Sequence, residues 1–481
     1  MNPFSSAEHL LIVLRTYPNA SGEMKFSELN FAEAPRILVP PPGPRSREAL
    51  AMQGIYETDV ISYAKAIPLA FKEGRGATIE DFDGNVYIDF FGGAGVLNVG
   101  HCNPEVLEAV REQERKLIHA LDFPTKPRLE LAKKLFQIAP GSMRNNAKIV
   151  FGGPTGSDAV EAAVKLAKLC TGRRGLLAFQ GGYHGMTSGA LSLSSGKKLK
   201  EHFVPLLPEV HFAPYAYCYR CVFGKEYPDC GLQCARYIEH LLDDPHSGIV
   251  DPAAIIVEPI QGEGGSIVPP DEYIRELARI CTDHSVPLIV DEIQTGLGRT
   301  GKMFACEHSN TTPDIMTLSK AIGGIGYPLS ACICRKELDK WSRGAHIGTF
   351  RGHCVAMAAG LAALNFMEKN DLPRYATELG RHMLTQLQAL KEESKHIGDV
   401  RGKGLMIGIE FVRDSRTKKA AEDIAQEVRK RCYMKGLIVE LGGHYSNVVR
   451  FLPPLVLTEE LADKGLVLFC EAVKDTERNL R

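Results

Sequence analysis

Short apolar segments rich in valine and isoleucine alternate with helical segments from Pro104 to Gly402, and this alternation constrains the fold more than any other feature. The segments AKIVFGG, AAIIVEP and PLIVDE are typical of strands buried on both faces. Helices are predicted from near Gly156 and from about Asp271 to His284. We therefore expect an α/β fold with a mostly parallel sheet covered by helices. In such sheets, ligands bind at the carboxyl ends of the strands.

The part of the chain before this alternating region follows other patterns. The segment from Met1 to about Ser46 is predicted to be irregular and to end in a proline-rich linker, because Pro40 to Pro42 exclude helix and favour extended backbone. The apolar run Leu10 to Leu14 within it is too short to span a membrane. Alternating apolar residues around Asp83 and Gly84 predict a β-hairpin.

The part of the chain after about Phe350 predicts a smaller α+β domain. A long helical segment runs to about His396, and two β-rich segments, GLMIGIEFV and GLIVEL to VVRFLPP, follow with a helix between them. We predict three parts: an N-terminal segment with the hairpin at residues 1–103, a large cofactor-binding domain at residues 104–349, and the small C-terminal domain at residues 350–481.

Composition limits the possible partners and the compartment. A formal net charge of -1, with neither a basic nor an acidic excess, argues against a nucleic-acid-binding protein. No segment predicts a membrane span or a secretory signal. Thirteen cysteines, an odd count, fit a reducing compartment better than a disulfide framework. We predict a cytoplasmic protein that acts on small molecules.

Two residues at predicted strand ends point to one cofactor. Asp291 ends an apolar strand, where a buried carboxylate needs a cationic partner, and a protonated pyridine nitrogen is such a partner. Lys320 lies at the end of the next strand, where its amine can form an imine with a carbonyl. The alternative is a structural ion pair at Asp291 and a surface lysine.

The segments PLIVDEIQTGLGRTG and LSKAIGG, which carry these residues, resemble the class III (ornithine/ω-amino) aminotransferases of fold type I. The resemblance covers nearly the whole chain after about Tyr56. It implies that pyridoxal phosphate forms a Schiff base with Lys320, which also moves the α-proton of the substrate. It further implies that Asp291 pairs with the ring nitrogen and that Gln294 reaches the phenolic oxygen.

The phosphate of this cofactor needs hydrogen-bond donors. The segment FGGPTGSDAVEAAVKLAK contains a glycine-bearing turn that leads into a helix, and a helix N-terminus favours an anion. By resemblance, Gly156 and Ser157 are the donors. Thr349 in GTFRG matches a threonine that the family contributes from the neighbouring subunit, which implies a homodimer, or a larger assembly, with shared active sites. A strand threonine is the alternative for Thr349.

Other segments complete the resemblance. In GGYHG, Tyr183 takes the place of the residue that stacks on the cofactor ring, whereas His184 is either a structural histidine or a cofactor contact. In EPIQGEGG, Glu258 would support the hydrogen bonds between the aspartate and the cofactor, and Glu263 would lie in the substrate pocket.

Arg450 in VVRFLPPL matches the arginine that binds the substrate α-carboxylate, for which a guanidinium gives two parallel hydrogen bonds. The family's counterpart of Glu263 can mask this arginine, so that a substrate with a distal amine enters in the other orientation. The alternative for Arg450 is a solvated arginine at a strand end.

Within the family, the segments SYAKAIPLAF, GGYHGMTSGAL and VRGKGLMIGIE are most similar to diaminobutyrate–2-oxoglutarate transaminases. Met186 stands where ornithine aminotransferases have an arginine for the distal carboxylate of 2-oxoglutarate, and Arg351 is a possible substitute. We therefore expect amino transfer between diaminobutyrate, or a similar ω-amino or diamino acid, and a 2-oxo acid such as 2-oxoglutarate.

Two other functions remain open. Amino-acid racemases and epimerases share this fold, lysine and aspartate, and they return the proton to the other face of the substrate carbon without a 2-oxo acid. A non-catalytic protein that binds the cofactor is the second alternative, although no partner module such as a helix-turn-helix is recognisable.

A cysteine cluster in YCYRCVFGKEYPDCGLQC is not explained by this function. It consists of Cys218, Cys221, Cys230 and Cys234. The first pair has a spacing common in zinc and iron–sulfur sites, whereas the second pair is spaced less typically. Free thiols in a surface loop, an occasional disulfide and a structural metal all remain possible, and no metal site is assigned.

Overall fold

Three β-sheets organise the chain in the computed structural model, which describes residues 25–480. The apolar run Leu10 to Leu14 lies outside the described residues. The strands are β1 (Phe71–Arg75), β2 (Thr78–Asp81), β3 (Val86–Asp89), β4 (Ala147–Phe151), β5 (Leu176–Phe179), β6 (Val210–Ala213), β7 (Ala254–Val257), β8 (Leu288–Asp291), β9 (Ile315–Leu318), β10 (Ala331–Arg335), β11 (Ile397–Lys403), β12 (Met406–Phe411), β13 (Leu437–Ile438), β14 (Glu440–Gly442) and β15 (Val448–Phe451).

Helices cover the sheets. The α-helices are α1 (Pro44–Tyr56), α2 (Tyr63–Ala66), α3 (Gly92–Gly95), α4 (Pro104–Glu114), α5 (Lys126–Ile138), α6 (Gly156–Thr171), α7 (Ser188–Leu193), α8 (Lys197–Lys200), α9 (Gln233–Asp243), α10 (Asp271–Asp283), α11 (Cys354–Lys369), α12 (Leu372–Glu393), α13 (Glu422–Lys435) and α14 (Glu459–Asn479). Short 3-10 helices occupy Phe26–Leu29, Gly141–Met143, Cys218–Arg220, Ala305–Ser309, Lys320–Gly323 and Lys336–Leu338. The predicted helices near Gly156 and from Asp271 are therefore confirmed.

The large sheet is mostly parallel, as predicted. Its strand order is β4-β10-β9-β8-β7-β5-β6, and β10 alone runs against its neighbours. Strands β5, β7, β8 and β9 are buried at every residue. This burial explains why their sequences are continuously apolar rather than alternating. The carboxyl ends of the parallel strands consequently lie along one edge, and Asp291 and Lys320 are found there.

The predicted hairpin around Asp83 and Gly84 is confirmed, since β2 and β3 pair antiparallel. These strands belong to a sheet with the order β1-β2-β3-β13, in which Leu437 of β13 pairs with Ile88 of β3. The N-terminal segment thus shares a sheet with a strand from the C-terminal part of the chain. A third sheet, β11-β12-β15-β14, carries Arg450. The division at residues 103 and 349 stays a prediction.

The proline-rich segment is more ordered than the predicted linker. Pro40 to Pro42 are not helical, as expected, but α1 already begins at Pro44. The carboxylate of Asp83 explains this start, because it accepts hydrogen bonds from the backbone N–H groups of Arg45 and Ser46 at 2.8 and 2.9 Å. Among the described helices, none has the length and apolar character needed to cross a membrane.

Candidate active site

Two adjacent parallel strands bring Asp291 and Lys320 to the same edge of the large sheet. Asp291 is the last residue of β8 and pairs in register with Thr317 of β9. Lys320 follows β9 by two residues and has a φ of 52°. A positive φ is uncommon outside glycine, and such strain concentrates at functional sites. Burial lowers the pKa of Lys320, which favours the neutral amine that nucleophilic attack and proton uptake require.

The carboxylate of Asp291 is buried and its orientation is fixed by three donors. Its Oδ1 accepts from Thr317 Oγ1 at 3.0 Å and from the N–H group of Ile293 at 3.1 Å, and its Oδ2 accepts from His184 Nδ1 at 2.7 Å. Burial lowers the pKa of His184, but the hydrogen bond and the charge of Asp291 outweigh this and raise the pKa overall. The imidazole therefore orients the aspartate and can share its charge.

A cavity of about 300 Å³ brings most of the predicted residues together. It is lined by Thr155, Gly156, Ser157, Tyr183, His184, Gly185, Met186, Glu258, Glu263, Asp291, Ile293, Gln294 and Lys320. Thr155, Gly185 and Ile293 were not predicted. Ile293 could have been recognised, because it stands two residues after Asp291 where the chain leaves the strand end, whereas Thr155 only precedes the predicted helix start.

One end of the cavity is formed by the N-terminus of α6. Thr155 precedes the helix in a capping box with Asp158, and Gly156 and Ser157 form the first turn. The first N–H groups of a helix have no partner within it, so they can donate to an anion. A Cβ at Gly156 would lie 2.7 Å from Cδ1 of Ile293, so a larger residue in this turn would require the Ile293 side chain to shift. The arrangement suits a phosphate.

Glu258 is a nearly buried residue of the cavity lining, which it shares with His184 and Asp291. Its Oε1 accepts from the N–H group of Tyr183 and its Oε2 from the N–H group of Gly262, both at 2.9 Å. Burial, with a smaller contribution from Asp291, raises the pKa of Glu258 to about 7. A carboxyl group in this environment can gain or lose its proton near neutral pH.

Replacing Glu258 by glutamine is expected to remove a pH dependence of stability. Between about pH 4.5 and about 7 the folded protein holds more protons on Glu258 than the unfolded chain, so the wild type loses stability as the pH rises through this window. The loss amounts to roughly 3 kcal/mol at most. Melting temperatures of both proteins, prepared without cofactor across this pH range, should therefore diverge in favour of the variant. Parallel pH profiles would contradict the expectation.

Glu263, which lines the cavity, forms an ion pair with the buried Arg450. Nη1 of Arg450 donates to Oε1 of Glu263 at 2.9 Å and Nη2 donates to Oε2 at 3.0 Å. Burial raises the pKa of Glu263, but the charge of Arg450 outweighs burial and lowers it overall. The side chain of Arg450 is 2% exposed and that of Glu263 34% exposed. Only the glutamate can therefore swing away into open space and leave the guanidinium free.

Thr349 and Arg351 are not among the residues that line this cavity. Thr349 is exposed and lies in a turn rather than a strand, and its carbonyl accepts from His119 Nε2 at 2.7 Å. The guanidinium of Arg351 contacts His346. The roles predicted for these two residues stay predictions.

The cysteine cluster lies away from this site. All four cysteines line one cavity of about 20 Å³. Within residues 25–480, only His382, Glu459 and Asp463 place three ligand atoms within 4.8 Å of one another, so the cysteines do not form a preformed metal site. Burial raises the pKa of the Cys234 thiol to about 11. A metal in this segment stays a hypothesis that elemental analysis of the purified protein can reject.

The residues around the main cavity fit pyridoxal phosphate. The helix N-terminus offers donors to the phosphate, Asp291 offers a buried negative charge to the pyridine nitrogen, and Lys320 offers an amine. The buried Oε1 of Gln294 has no hydrogen-bond partner within the described residues, so a polar group in the cavity would satisfy this side chain. The fold and this cavity define a pyridoxal-phosphate-dependent enzyme of fold type I.

Comparisons with known proteins specify the family. The chain belongs to the class-III aminotransferases, whose family model matches residues 61–473. A diaminobutyrate–2-oxoglutarate aminotransferase from Rhizobium meliloti is 42% identical over 416 residues, covering 85% of this chain and 88% of the relative. A leucine/methionine racemase from Thermococcus litoralis is 41% identical over 423 residues, covering 87% and 92%. The structure of a pyridoxal-phosphate-bound amine transaminase from an uncultivated Pseudomonas species has a TM-score of 0.79 at 30% identity, covering 88% of this chain and 98% of that one.

Proposed function

We propose that this aminotransferase moves an amino group between 2,4-diaminobutyrate, or a similar ω-amino or diamino acid, and a 2-oxo acid such as 2-oxoglutarate. The bidentate ion pair between Glu263 and Arg450 carries the proposal. Paired with Glu263, Arg450 presents no free positive charge to a substrate whose distal end is an amine. Released from Glu263, it can bind the α-carboxylate of glutamate or of 2-oxoglutarate. The Rhizobium meliloti relative supports this choice of substrates.

The chemistry is divided between the cofactor and Lys320. When bound, pyridoxal phosphate supplies an aldehyde that takes up amino groups and a ring that accepts electron density. Lys320 would hold the cofactor covalently between reactions and, when displaced by a substrate amine, move the proton at the substrate α-carbon. The lowered pKa of Lys320 supports this role, because a neutral amine is both nucleophile and base.

The surrounding residues would bind and orient the cofactor. Asp291, oriented by His184 and Thr317, would keep a proton on the ring nitrogen. Gly156 and Ser157 would donate to the phosphate from the first turn of α6. Tyr183 would stack on the ring, and Gln294 would reach the phenolic oxygen. Glu258 would act through Tyr183, whose backbone N–H group donates to it.

A panel of amino donors tests the proposal. Each amino acid is incubated with and without 2-oxoglutarate, and both oxo-acid formation and enantiomeric composition are followed. Consumption of diaminobutyrate that requires 2-oxoglutarate supports the proposal. Inversion of a single amino acid without any oxo acid would instead identify a racemase, the second candidate that the Thermococcus litoralis relative favours.

We also propose that two copies of the chain share their active sites, with Thr349 reaching the phosphate of the other copy. Thr349 lies in an exposed apolar patch formed by residues 117–123 and 347–350. His119 joins the two segments, because its Nε2 donates to the carbonyl oxygen of Thr349 and its ring contacts the ring of Phe350. Its exposed apolar side chains are Leu117, Ile118, Leu121, Phe123, Ile347 and Phe350. Contiguous exposed patches of this kind mark protein interfaces.

Replacing Phe350 by aspartate is expected to weaken the dimer by at least about tenfold, because a charge would be buried in an apolar interface. Sedimentation equilibrium would show the shift toward monomer, and activity would fall with it as Thr349 is withdrawn. Val467 on α14 is exposed to a similar degree, 56% against 68% for Phe350, so Val467→Asp is the matched control. A wild type that sediments as a monomer at assay concentration would refute the shared site.

We also propose that the protein is located in the cytoplasm. All thirteen cysteines are free thiols, which a reducing compartment preserves.

A further inference from the structure

A buried group of charges lies directly behind the turn that carries Glu263. Its centre is Glu410, whose side chain is fully buried. Oε1 of Glu410 accepts from Arg220 Nε at 2.5 Å, and Oε2 accepts from Arg401 Nη1 at 2.8 Å and from the hydroxyl of Tyr217. Two guanidinium groups and a phenol thus compensate one carboxylate that would otherwise be costly to bury. The proposed reaction uses none of these side chains.

Arg401 connects this group to the turn. Its Nε donates to the carbonyl oxygens of Gly265 and Ser266 at 3.1 and 3.2 Å, and its Nη2 donates to Gly265 again at 2.7 Å. A second carboxylate, Asp399, accepts from Nη1 at 2.7 Å. The guanidinium therefore holds two successive carbonyl groups that follow Glu263 by two and three residues.

The other side of the same turn is held by the loop after β14. The N–H group of Gly443 donates to the carbonyl oxygen of Glu263 at 2.9 Å. The two segments are in close contact, since a Cβ built on Gly265 would lie 3.1 Å from the Cα of Gly443. The backbone of Glu263 is consequently fixed from both sides, and only its side chain remains free to leave Arg450.

We propose that Arg401, oriented by Glu410 and Tyr217, is a positioning residue that sets how strongly Glu263 masks Arg450. A bidentate ion pair needs both partners in one geometry, so a looser turn weakens the pair without removing either charge. Arg401 thereby determines how the enzyme divides its affinity between substrates with a carboxylate at this end and substrates with an amine. The inference rests on the proposed function, in which Glu263 alternately covers and frees Arg450.

A double-mutant cycle with glutarate tests the inference. Glutarate is an unreactive dicarboxylate, and its dissociation constant on the cofactor-loaded enzyme is measured by calorimetry for the wild type, Arg401→Lys, Glu263→Gln and the double variant. We expect each single variant to bind glutarate about fivefold more tightly and the double variant to bind no more tightly than Glu263→Gln alone. An Arg401→Lys effect of the same size in both backgrounds, or none in either, would overturn the inference.

Steady-state kinetics provide a second readout. In Arg401→Lys we expect KM for the diamino donor to rise about fivefold while kcat stays within about twofold of the wild type. A merely structural role would instead lower kcat for both half-reactions together. Arg335→Lys is the matched control, because Arg335 also donates to two carbonyl groups beside an aspartate, at a site remote from the cavity.

Tyr217→Phe keeps the test decisive if Arg401→Lys does not fold. It removes one hydrogen bond to Glu410 and leaves every charge in place, so a smaller change in the same direction is expected. Unchanged glutarate binding and KM in a folded Tyr217→Phe variant would count against the inference. A wild type that does not transfer amino groups to 2-oxoglutarate would refute the proposed function itself. The double-mutant cycle would still test the effect of Arg401 on Glu263, because it measures the binding of glutarate and not activity.

Discussion

Replacing Lys320 by alanine is expected to lower the rate of amino transfer by at least about 10³-fold. Under the proposed function, the variant loses both the amine that would hold the cofactor and the base that would move the α-proton. The effect on folding should be small. Lys320 lies in a short 3-10 helix at the edge of the sheet, and alanine leaves no buried charge without a partner. The wild-type lysine even costs some stability, since burial lowers its pKa.

A measurement other than activity separates these two roles from a general defect. Borohydride reduction of the cofactor-loaded wild type should fix the cofactor mass on the peptide that contains Lys320, and the variant should carry no such mass at any residue. Lys148, exposed on β4, provides the control: Lys148→Ala should be labelled at Lys320 and transfer amino groups like the wild type. Labelling at another lysine in the wild type would refute the assignment.

The strand ends were predictable from the sequence because their signals are local. PLIVDE contains a buried strand and its terminal carboxylate within six letters, so the position of Asp291 at the sheet edge followed directly. The same holds for the turn before α6. The resemblance to a known family then supplied what local patterns cannot, namely that these separated segments face one cavity.

The contacts around Glu263 could not be predicted in this way. The carbonyl group of Gly265 binds Arg401, and Glu263 binds Arg450, across separations of 136 and 187 residues. Neither pair leaves a periodic signal, because such contacts depend on the packing of three sheets. The pairing of β13 with β3 was missed for the same reason. Each segment alone predicts a strand, but no residue near it in the sequence indicates which strand it pairs with.

The role of Thr349 could not be derived from one copy of the chain. Its turn is exposed and surrounded by apolar side chains, so one folded copy gives it no function, and the predicted contact with the phosphate rests on the family resemblance of GTFRG alone. The interpretation depends on a second copy, and the oligomeric state of the Phe350→Asp variant decides it.

Replacing Asp291 by asparagine is expected to lower kcat/KM by about 10²- to 10⁴-fold while leaving the fold intact. The amide has the same shape but no charge, so it cannot stabilise a protonated ring nitrogen in a buried site. The amide also creates a conflict with His184. The imidazole Nδ1–H now donates to Oδ2 at 2.7 Å, and an NH₂ group at that position would meet a donor with another donor.

The conservative comparison is Thr317→Val, which removes one hydrogen bond from Asp291 but keeps its charge. Because a hydrogen bond to a charged carboxylate contributes about 1.5 to 3 kcal/mol and Asp291 keeps its other two donors, this variant should lose no more than about 10²-fold. Rates are compared at saturating cofactor, and melting temperatures of the cofactor-free proteins exclude unfolding as the cause. If Asp291→Asn lost no more activity than Thr317→Val, the charge of the aspartate would not matter, and the cavity would have to activate its cofactor without a protonated ring nitrogen.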